Sequence, residues 1–365
     1  MTRLQQLFDE QDQSPWLDNL KRGWITSGEL EQWVARGVRG VTSNPTIFQK
    51  AMATGDAYDA QLAELAAAGS STVDSYWAAV TRDISDALDI LAPVHESSGG
   101  LDGYVSLELA PGLARATDAS IEAARHLHTT IARPNLYVKI PGTVEGLPAI
   151  QQMIAEGRSI NVTLIFGLDR YDEVIESYLA GLEAAEGDLS AVSSVASFFV
   201  SRIDTEVDRR LEAIGTEAAL ALRGKAAVAQ AQCAYQLFLE RFSGPRWDAL
   251  EAQGARVQRP LWASTSTKNP EYLDTLYVDE LIGPRTVNTM PDNTLGAFED
   301  HGTVARRVDA DPAAARAVLN TLADVGVDMD DVTRVLEEEG LASFSKSFDE
   351  LLGVLDHKAQ QLRQR

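Results

Sequence analysis

Short apolar runs recur along this chain, and between them the apolar residues fall at helical spacing. Each run has the length and β-branched content of a buried strand, so the alternation predicts βα units around a parallel sheet. Eight such runs occupy residues 15–20, 37–43, 103–109, 136–140, 159–166, 192–200, 259–264 and 286–290. Eight parallel strands with helices outside close into a barrel, and we predict an α/β fold of the (β/α)8 TIM-barrel type.

One helix can be predicted in detail between the first two runs. Thr26 and Glu29 have the spacing of a capping box, in which two side chains satisfy free N–H groups at a helix start. Leu30 and Trp33 follow at helical spacing, and Gly37 is the residue type that ends helices in a left-handed conformation. We expect a helix that begins at this box and ends at Gly37.

The longer stretches between the runs predict further helices. About 60 Ala-rich residues separate the second and third runs, and residues 204–242 also exceed one average helix. From Gly296 onward no strand run occurs. No linker rich in Pro, Gly or Ser divides the chain, so we expect residues 1–365 to form one domain. Its barrel core spans about residues 14–295, and helices of about residues 296–365 cover the barrel or a subunit face.

Composition and charge narrow the class of protein. A hydrophobic content of 45% suits an ordinary globular core and excludes a disordered chain or a disulfide scaffold. The 32 basic and 54 acidic residues give a net charge of −22, which repels phosphate backbones. We therefore expect no nucleic-acid partner, and any small anionic substrate must be held by local groups.

Cysteine, histidine and hydropathy patterns bear on location and cofactors. The single cysteine, Cys233, forms no internal disulfide, and its position suits a small buried side chain on a helix. Residues 1–13 are polar, and no later run approaches the roughly 20 apolar residues of a membrane span. The five histidines have no spacing typical of a metal site. We expect a cytoplasmic protein with no membrane partner and no metal; whether it is a monomer or a homodimer stays open.

The fourth run contains a lysine where a barrel points inward. Side chains of a strand alternate between the outer helices and the barrel interior. Leu136, Val138 and Ile140 form the apolar face, which leaves Tyr137 and Lys139 inside. The chain has seven lysines and 25 arginines, and Lys139 alone lies in an apolar strand.

Two interpretations of Lys139 have equal weight from this pattern alone. Desolvation favours the neutral amine, which can attack a carbonyl and form a Schiff base. Alternatively the ammonium stays charged and pairs with an inward carboxylate as a structural ion pair.

The same alternation places further polar side chains inside the barrel. They are Asp18 in the first run, Thr42 and Asn44 in the second, Ser106 and Glu108 in the third, and Asn161 and Thr163 in the fifth. A carboxylic acid, hydroxyls and amides around one lysine exceed what a structural ion pair needs, so the set favours carbonyl chemistry. Each member alone is a weak signal, and Asp18 before Asn19 also suits a simple turn.

Groups suited to phosphate follow the later strands. Ser197 and Phe199 share a face in the sixth run, and Arg202 lies just beyond its end, where it is placed to hold a phosphate. A solvated surface arginine is the alternative. The loop at residues 264–269, STSTKN, offers hydroxyls, backbone amides and Lys268 at the same mouth, although Asn269 before proline also suits a helix start.

Several strings in register resemble the transaldolase family. They are GVTSNPT at residues 40–46, LYVKIPGT at 136–143, INVTLIF at 160–166 and SFFVSR at 197–202, and the match covers most of residues 14–295. The resemblance implies the same barrel, with its Schiff-base lysine on the fourth strand where Lys139 stands.

The resemblance also implies a reaction and its residues. A dihydroxyacetone unit moves from sedoheptulose 7-phosphate to glyceraldehyde 3-phosphate, giving erythrose 4-phosphate and fructose 6-phosphate in the non-oxidative pentose phosphate pathway, with no cofactor. By motif, Lys139 is the nucleophile, Asp18 takes and returns the C4 hydroxyl proton, and Glu108 with Thr163 positions a water. The residues implied to hold the donor hydroxyls are Asn44, Asn161 and Ser197.

Two positions refine the comparison. Phe199 stands where fructose 6-phosphate aldolases of the same superfamily have Tyr, which favours transfer over simple cleavage. Many transaldolases have an arginine in the loop after the seventh strand; here Lys268 and Ser266 must share phosphate binding with Arg202. An aldolase that releases dihydroxyacetone to water and a non-catalytic sugar-phosphate-binding barrel remain the alternatives.

Overall fold

The computed structural model describes residues 1–363, and its strands close into a barrel. All neighbouring strands are parallel and follow one another in sequence order, with the last paired to the first. The strands are β1 Gln13–Leu17, β2 Val41–Thr42, β3 Val105–Glu108, β4 Leu136–Pro141, β5 Ile160–Ile165, β6 Ser194–Phe199, β7 Arg259–Ala263 and β8 Thr286–Met290. The predicted (β/α)8 barrel is confirmed, and every predicted run overlaps one strand, although β1 begins two residues before its run and β4 ends one residue after it.

Helices surround this barrel. They are α1 Arg3–Gln11, α2 Arg22–Ser27, α3 Glu29–Arg36, α4 Pro45–Ala53, α5 Asp59–Ala67, α6 Thr72–Ser97, α7 Thr117–Ile131, α8 Gly146–Ala155, α9 Leu168–Ala184, α10 Ser201–Ile214, α11 Glu217–Leu220, α12 Ala226–Arg241, α13 Pro245–Glu251, α14 Leu276–Asp279, α15 Asp292–His301, α16 Pro312–Asp324 and α17 Met329–Arg363. None of those described is both long and apolar enough to cross a membrane.

The predicted capping box is wrong, because a helix already runs through it. The Thr26 hydroxyl donates to the Arg22 carbonyl oxygen at 3.1 Å, within α2. Gly28 has a φ of 79°, which interrupts the helical backbone between α2 and α3, and no side chain caps α3. The predicted end at Gly37 is confirmed, since its φ of 120° stops α3.

The other helix predictions are confirmed with changed bounds. The insertion after β2 forms α4, α5 and α6, and residues 204–242 contain parts of α10 and α12 with α11 between them. Helical structure after the barrel begins at Asp292, four residues before the predicted Gly296, because α15 starts directly after β8.

The amino-terminal end of the barrel is filled, so the interior opens only at the other end. Tyr104 and Tyr137 stack with ring centroids 4.0 Å apart. Beside them the fully buried Asp102 carboxylate accepts from Arg39 Nε at 2.7 Å and from Arg259 Nη2 at 3.0 Å. Lys139 lies further along β4 than Tyr137. These packed side chains therefore separate the Lys139 amine from solvent at the amino-terminal end of the barrel.

The long helix α17 crosses the open end of the barrel. It packs against α4, α5, α6, α10 and β5. Gly340, Phe344 and Ser347 lie on one face of it, at helical spacing. A Cβ atom on Gly340 would lie 3.4 Å from Arg202 Nη1, and the Ser347 and Thr46 hydroxyl oxygens are 2.8 Å apart. The C-terminal extension therefore covers the mouth of the barrel, as one of the predicted alternatives expected.

Candidate active site

Lys139 and Glu108 meet inside the barrel as the strand alternation predicts. The β3–β4 and β4–β5 registers pair Glu108 with Lys139 and Lys139 with Asn161, which puts all three on the inner face. Lys139 Nζ lies 3.3 Å from Glu108 Oε2 and donates to the Ser43 carbonyl oxygen at 3.1 Å. Both ionisable residues are only 5% exposed. The structure therefore shows the ion pair that the structural interpretation of Lys139 requires. It also shows the burial that the Schiff-base interpretation requires.

Glu108 is a stronger base than an exposed glutamate. Burial raises its pKa, and the Lys139 charge only partly offsets that effect. Among the described residues, Glu108 Oε2 has no partner beyond its ion-pair contact with Lys139, and Thr163 Oγ1 is a buried oxygen without a hydrogen-bond partner. Both can bond a water or a substrate hydroxyl, which suits proton transfer next to the amine.

Asp18 and Asn44 stand at the rim of the same cavity. Asp18 follows β1 directly, and its Oδ1 accepts from the Thr42 hydroxyl at 2.8 Å. Asn44 is the N-cap of α4 and its Oδ1 accepts from the Ile47 backbone N–H at 2.9 Å. These bonds orient the carboxylate and the amide before a substrate arrives.

A chain of hydrogen bonds fixes Asn161 behind the lysine. The Ser197 hydroxyl donates to Asn161 Oδ1 at 2.7 Å, and Asn161 Nδ2 donates to the Ser106 hydroxyl at 3.1 Å. Asn161 is fully buried, whereas Ser197 lines the cavity. A substrate hydroxyl therefore meets Ser197 first, with Asn161 holding the serine.

Two strained backbone positions adjoin the site. The β5–β6 register shifts between Val162 and Ile165, and Leu164 has a φ of 58°. Ser264, directly after β7, also has a φ of 58°. Positive φ at residues other than glycine costs about 1 to 3 kcal/mol and concentrates at functional sites.

The site is a small inner cavity that opens into a large outer one. The inner cavity of about 90 Å³ is lined by Lys139, Thr163, Ser197 and Phe199, among others. The outer cavity has a volume of about 780 Å³. Both are lined by Asp18, Asn44, Arg202, Ser264 and Phe344.

Aromatic rings bound the inner cavity. The Phe199 and Phe166 ring centroids are 5.0 Å apart, and Phe199 is 7% exposed. The Arg202 guanidinium carbon lies 5.4 Å from the Phe199 centroid, a cation–π contact. Phe199 therefore presents an apolar face to the interior and keeps Arg202 at the mouth.

Basic side chains gather at the mouth. Arg202 and Lys268 line the outer cavity with Lys21 and Lys50. Burial lowers the pKa of Arg202; burial, and after it the Arg202 charge, lowers the pKa of Lys268. Among the described residues, none of these four cations has a carboxylate oxygen within 4.0 Å in an ion pair. An anion such as a phosphate would relieve their repulsion.

Ser266, the other predicted loop residue, is not among the residues that line either cavity. Ser264 lines both, because its left-handed conformation turns the chain just after β7. Phe344 and Lys50 were missed by the sequence reasoning. No local pattern marks them, since only the packing of α17 and α4 over the mouth brings them to the cavity.

A cavity of about 920 Å³ between α9, α16 and α17 contains none of the predicted site residues. Within residues 1–361, no group of three or more His, Cys, Asp or Glu side chains could hold a metal ion.

Comparison with known proteins agrees with this arrangement. The family profile described as Transaldolase/Fructose-6-phosphate aldolase matches residues 15–355. A protein named transaldolase from Thermobifida fusca (strain YX) is 54% identical over 364 residues, covering 98% of each chain. One of the same name from Mycolicibacterium smegmatis is 53% identical over 344 residues, covering 93% of each. The chain belongs to the transaldolase/fructose-6-phosphate aldolase family.

Proposed function

We propose that this chain is a transaldolase. It moves a dihydroxyacetone unit from sedoheptulose 7-phosphate to glyceraldehyde 3-phosphate, giving erythrose 4-phosphate and fructose 6-phosphate in the non-oxidative pentose phosphate pathway. The main support from the structure is the buried Lys139 amine, 3.3 Å from Glu108 Oε2, at a cavity whose rim holds a carboxylate and several cations. The family relationship supports the same activity.

The first step is imine formation on Lys139. Glu108, made more basic by burial, takes a proton from the ammonium, and the amine adds to the C2 ketone of the donor. Glu108 returns the proton to the carbinolamine hydroxyl, water leaves, and the protonated imine forms. Among the described residues, Glu108 Oε2 has no partner beyond Lys139 and Thr163 Oγ1 has none, which supports a role for this pair in delivering and receiving that water.

The second step breaks and remakes a carbon–carbon bond. Asp18 takes the proton of the C4 hydroxyl while the C3–C4 bond breaks, and the bonding pair moves into the imine to form an enamine. The enamine carbon then adds to the aldehyde of the acceptor, and Asp18 returns the proton to the new hydroxyl. Hydrolysis of the imine releases the new ketose and restores the Lys139 amine.

The remaining predicted residues bind the sugar. We assign the donor hydroxyls to Asn44 and Ser197, with Asn161 supporting Ser197. We assign the phosphate to Arg202 and Lys268, whose unpaired charges face the outer cavity. Ser266 keeps its predicted role only if substrate binding rearranges the loop, and Ser264 is the better supported hydroxyl.

The simplest test separates transfer from its alternatives. Purified protein is incubated with fructose 6-phosphate, and free dihydroxyacetone and sedoheptulose 7-phosphate are measured with and without erythrose 4-phosphate. A transaldolase forms the seven-carbon sugar only with the acceptor and releases little dihydroxyacetone without it. Rapid release without acceptor would indicate an aldolase, and no turnover in either case would indicate a binding protein.

Two variants test which residue carries out imine formation and which carries out cleavage. Lys139→Arg is expected to abolish turnover, because a guanidinium stays protonated and cannot form an imine. Asp18→Ala is expected to keep imine formation but lose cleavage, because the C4 proton then has no acceptor. Turnover by Asp18→Ala within a few-fold of the unaltered protein would contradict the role of this carboxylate.

We also propose a cytoplasmic location and a single folded domain. The phosphorylated substrates and the lone buried cysteine support the location. The packing of α17 on α4, α5, α10 and β5 supports one domain for the barrel and its extension. A single cooperative unfolding transition followed by both fluorescence and circular dichroism would test the second proposal.

A further inference from the structure

The two residues assigned to the phosphate come from different elements and repel each other. Arg202 is the second residue of α10, and Lys268 lies in the segment between β7 and α14. The Arg202 charge helps to lower the pKa of Lys268, which shows that the two cations are near enough to repel each other. Because the two cations repel each other, other contacts must hold α10 and the β7–α14 segment in place before a phosphate binds.

Serine contacts join the two elements near the barrel. The Ser201 backbone N–H donates to the Ser264 carbonyl oxygen at 3.1 Å, and the two hydroxyl oxygens are 2.9 Å apart. These contacts fix the start of α10 against the end of β7. They leave the outer part of the β7–α14 segment, including Lys268, to be held elsewhere.

A carboxylate further along α10 holds that outer part. Asp208 Oδ2 accepts from the Tyr272 hydroxyl at 2.6 Å, while Asp208 Oδ1 accepts from the Gly224 backbone N–H at 2.9 Å. A Cβ atom on Gly224 would lie 2.7 Å from Tyr272 Cζ, so the ring packs directly on this glycine. Burial and the Asp208 carboxylate raise the pKa of Tyr272, which keeps its hydroxyl protonated as the donor.

A second carboxylate, one helical turn earlier, repeats the arrangement. Asp204 Oδ2 accepts from the Tyr277 hydroxyl at 2.8 Å, and Asp204 Oδ1 accepts from the Ala227 backbone N–H at 2.8 Å. Tyr277 belongs to α14, beyond Tyr272. Asp208 therefore links α10 to the β7–α14 segment and to the chain before α12, and Asp204 links α10 to α14 and to the first turn of α12.

A tight turn connects Tyr272 to Lys268. The Tyr272 backbone N–H donates to the Asn269 carbonyl oxygen at 3.1 Å, and Asn269 Oδ1 accepts from the Glu271 N–H at 2.9 Å. Lys268 precedes this turn directly. A shift of the Tyr272 ring is therefore transmitted to the backbone that bears Lys268.

Both aspartates are buried without a cation. Asp204 is 2% and Asp208 8% exposed, and within residues 1–361 neither has a basic side chain within 4.0 Å. Buried carboxylates are costly, and here the hydrogen bonds that compensate come from neutral N–H and O–H donors. Two such groups, one helical turn apart on α10 and both bonded to tyrosines that follow β7, indicate that the spacing of these parts of the chain matters.

We propose that the Asp208–Tyr272 hydrogen bond is a positioning contact that sets Lys268 relative to Arg202 and thereby the affinity for the substrate phosphate. This inference rests on the assignment of Lys268 to the phosphate in the proposed function. Neither Asp208 nor Tyr272 touches the reacting atoms, so the contact acts on substrate binding and leaves the chemical steps unchanged.

The test is Tyr272→Phe in the full-length protein. KM for fructose 6-phosphate is expected to rise about threefold to tenfold, with kcat changed by less than twofold. The phosphate contact is weakened equally in the bound substrate and in the transition state. The inhibition constant of inorganic phosphate, a direct probe of the same cations, is expected to rise in parallel. Asp208→Asn keeps one of the two acceptor oxygens that Tyr272 and the Gly224 N–H use and is expected to raise both constants in the same direction.

Two further variants make the result specific. Tyr178→Phe is the matched control: it removes a hydroxyl that donates to the Arg256 carbonyl oxygen at 2.7 Å, in the loop before β7 at the opposite end of the barrel. It is expected to lower thermal stability without changing either constant. In the Lys268→Ala background, Tyr272→Phe is expected to have no further effect, because the residue through which it acts is gone.

The outcomes separate this inference from the function on which it rests. If Lys268→Ala raises KM but Tyr272→Phe leaves KM and phosphate inhibition unchanged, the positioning role is wrong and Lys268 keeps its assignment. If the two effects add fully in the double variant, Tyr272 acts independently of Lys268 and the inference also fails. If Lys268→Ala itself has no effect, the phosphate assignment and the inference fall together, while transfer by Lys139 stands.

Discussion

Phe199 is the residue that most directly bears on transfer against hydrolysis. Its ring lines the inner cavity beside Lys139 and offers no group that could orient a water. We predict that Phe199→Tyr releases more dihydroxyacetone from fructose 6-phosphate without acceptor, at the expense of transfer, because the new hydroxyl can activate water. Reduction of dihydroxyacetone coupled to NADH oxidation measures the release. An unchanged ratio of release to transfer would show that this position does not control the partition.

Asp204 supplies a residue-scale prediction about pH and stability. Burial is the main cause that raises its pKa from 3.8 to about 6, with the nearby Asp208 adding to the shift. Because the folded protein binds this proton more tightly than the unfolded chain, the stabilising contribution is full below about pH 4 and disappears as the pH rises through about 6.

The matched variant for this effect is Asp204→Asn, which has no carboxyl to titrate. Between pH 5 and pH 7.5 we expect the free energy of unfolding of the unaltered protein to fall by about 1 kcal/mol relative to the variant. Urea unfolding at both pH values measures the difference. A difference that stays constant with pH would contradict the titration of Asp204.

Residues inside regular strands were predictable, and so were Asp18, Asn44 and Arg202 just beyond strand ends, which line both cavities. The alternation of a strand places Lys139, Glu108 and Thr163 inward, and the structure puts them there. The loop after β7 has no such alternation, so the sequence does not indicate which of its hydroxyls faces the cavity. Ser264 has a φ of 58°, a conformation that the sequence does not signal, and it reaches the cavity in place of Ser266.

At the scale of elements, α17 determines what can enter the inner cavity. Phe344 is 5% exposed and lines both cavities from above. We predict that Phe344→Ala admits water to the covalent intermediate and raises acceptor-independent release of dihydroxyacetone severalfold. Loss of this buried ring also lowers the free energy of unfolding by about 3 kcal/mol.

Phe348 is the control on the same helix, because it packs edge-on against Tyr76 and is not among the residues that line either cavity. Phe348→Ala is expected to reduce stability with an unchanged ratio of release to transfer. Equal ratios in the two variants would mean that α17 has only a structural role.

The elements themselves were predictable to different degrees. All eight strands overlap runs recognised from β-branched residues, and the helical nature of the last part of the chain was recognised from its spacing. The capping box failed because α2 extends through Thr26 to Ser27, so the break between α2 and α3 comes at the backbone of Gly28. Where α17 packs depends on long-range contacts, which no local pattern encodes.

At the scale of the whole molecule, the net charge of −22 repels a phosphorylated substrate, and the cations at the mouth must overcome this repulsion. We predict that Arg202→Ala raises KM for fructose 6-phosphate by about tenfold to a hundredfold, the scale of 1.4 to 3 kcal/mol for a charge-assisted contact. Steady-state kinetics at fixed ionic strength measure the change, since salt screens both the attraction and the overall repulsion. An unchanged KM in both Arg202→Ala and Lys268→Ala would place the phosphate elsewhere.

The central claim is that Lys139 forms a covalent imine with the donor sugar. Protein treated with fructose 6-phosphate and borohydride, then digested and mapped by mass spectrometry, tests it most directly, because only an imine is reduced to a stable amine. We predict one dihydroxyacetone-derived adduct on the peptide that contains Lys139, and none in Lys139→Arg. An adduct on another lysine, or turnover without any adduct, would contradict the mechanism.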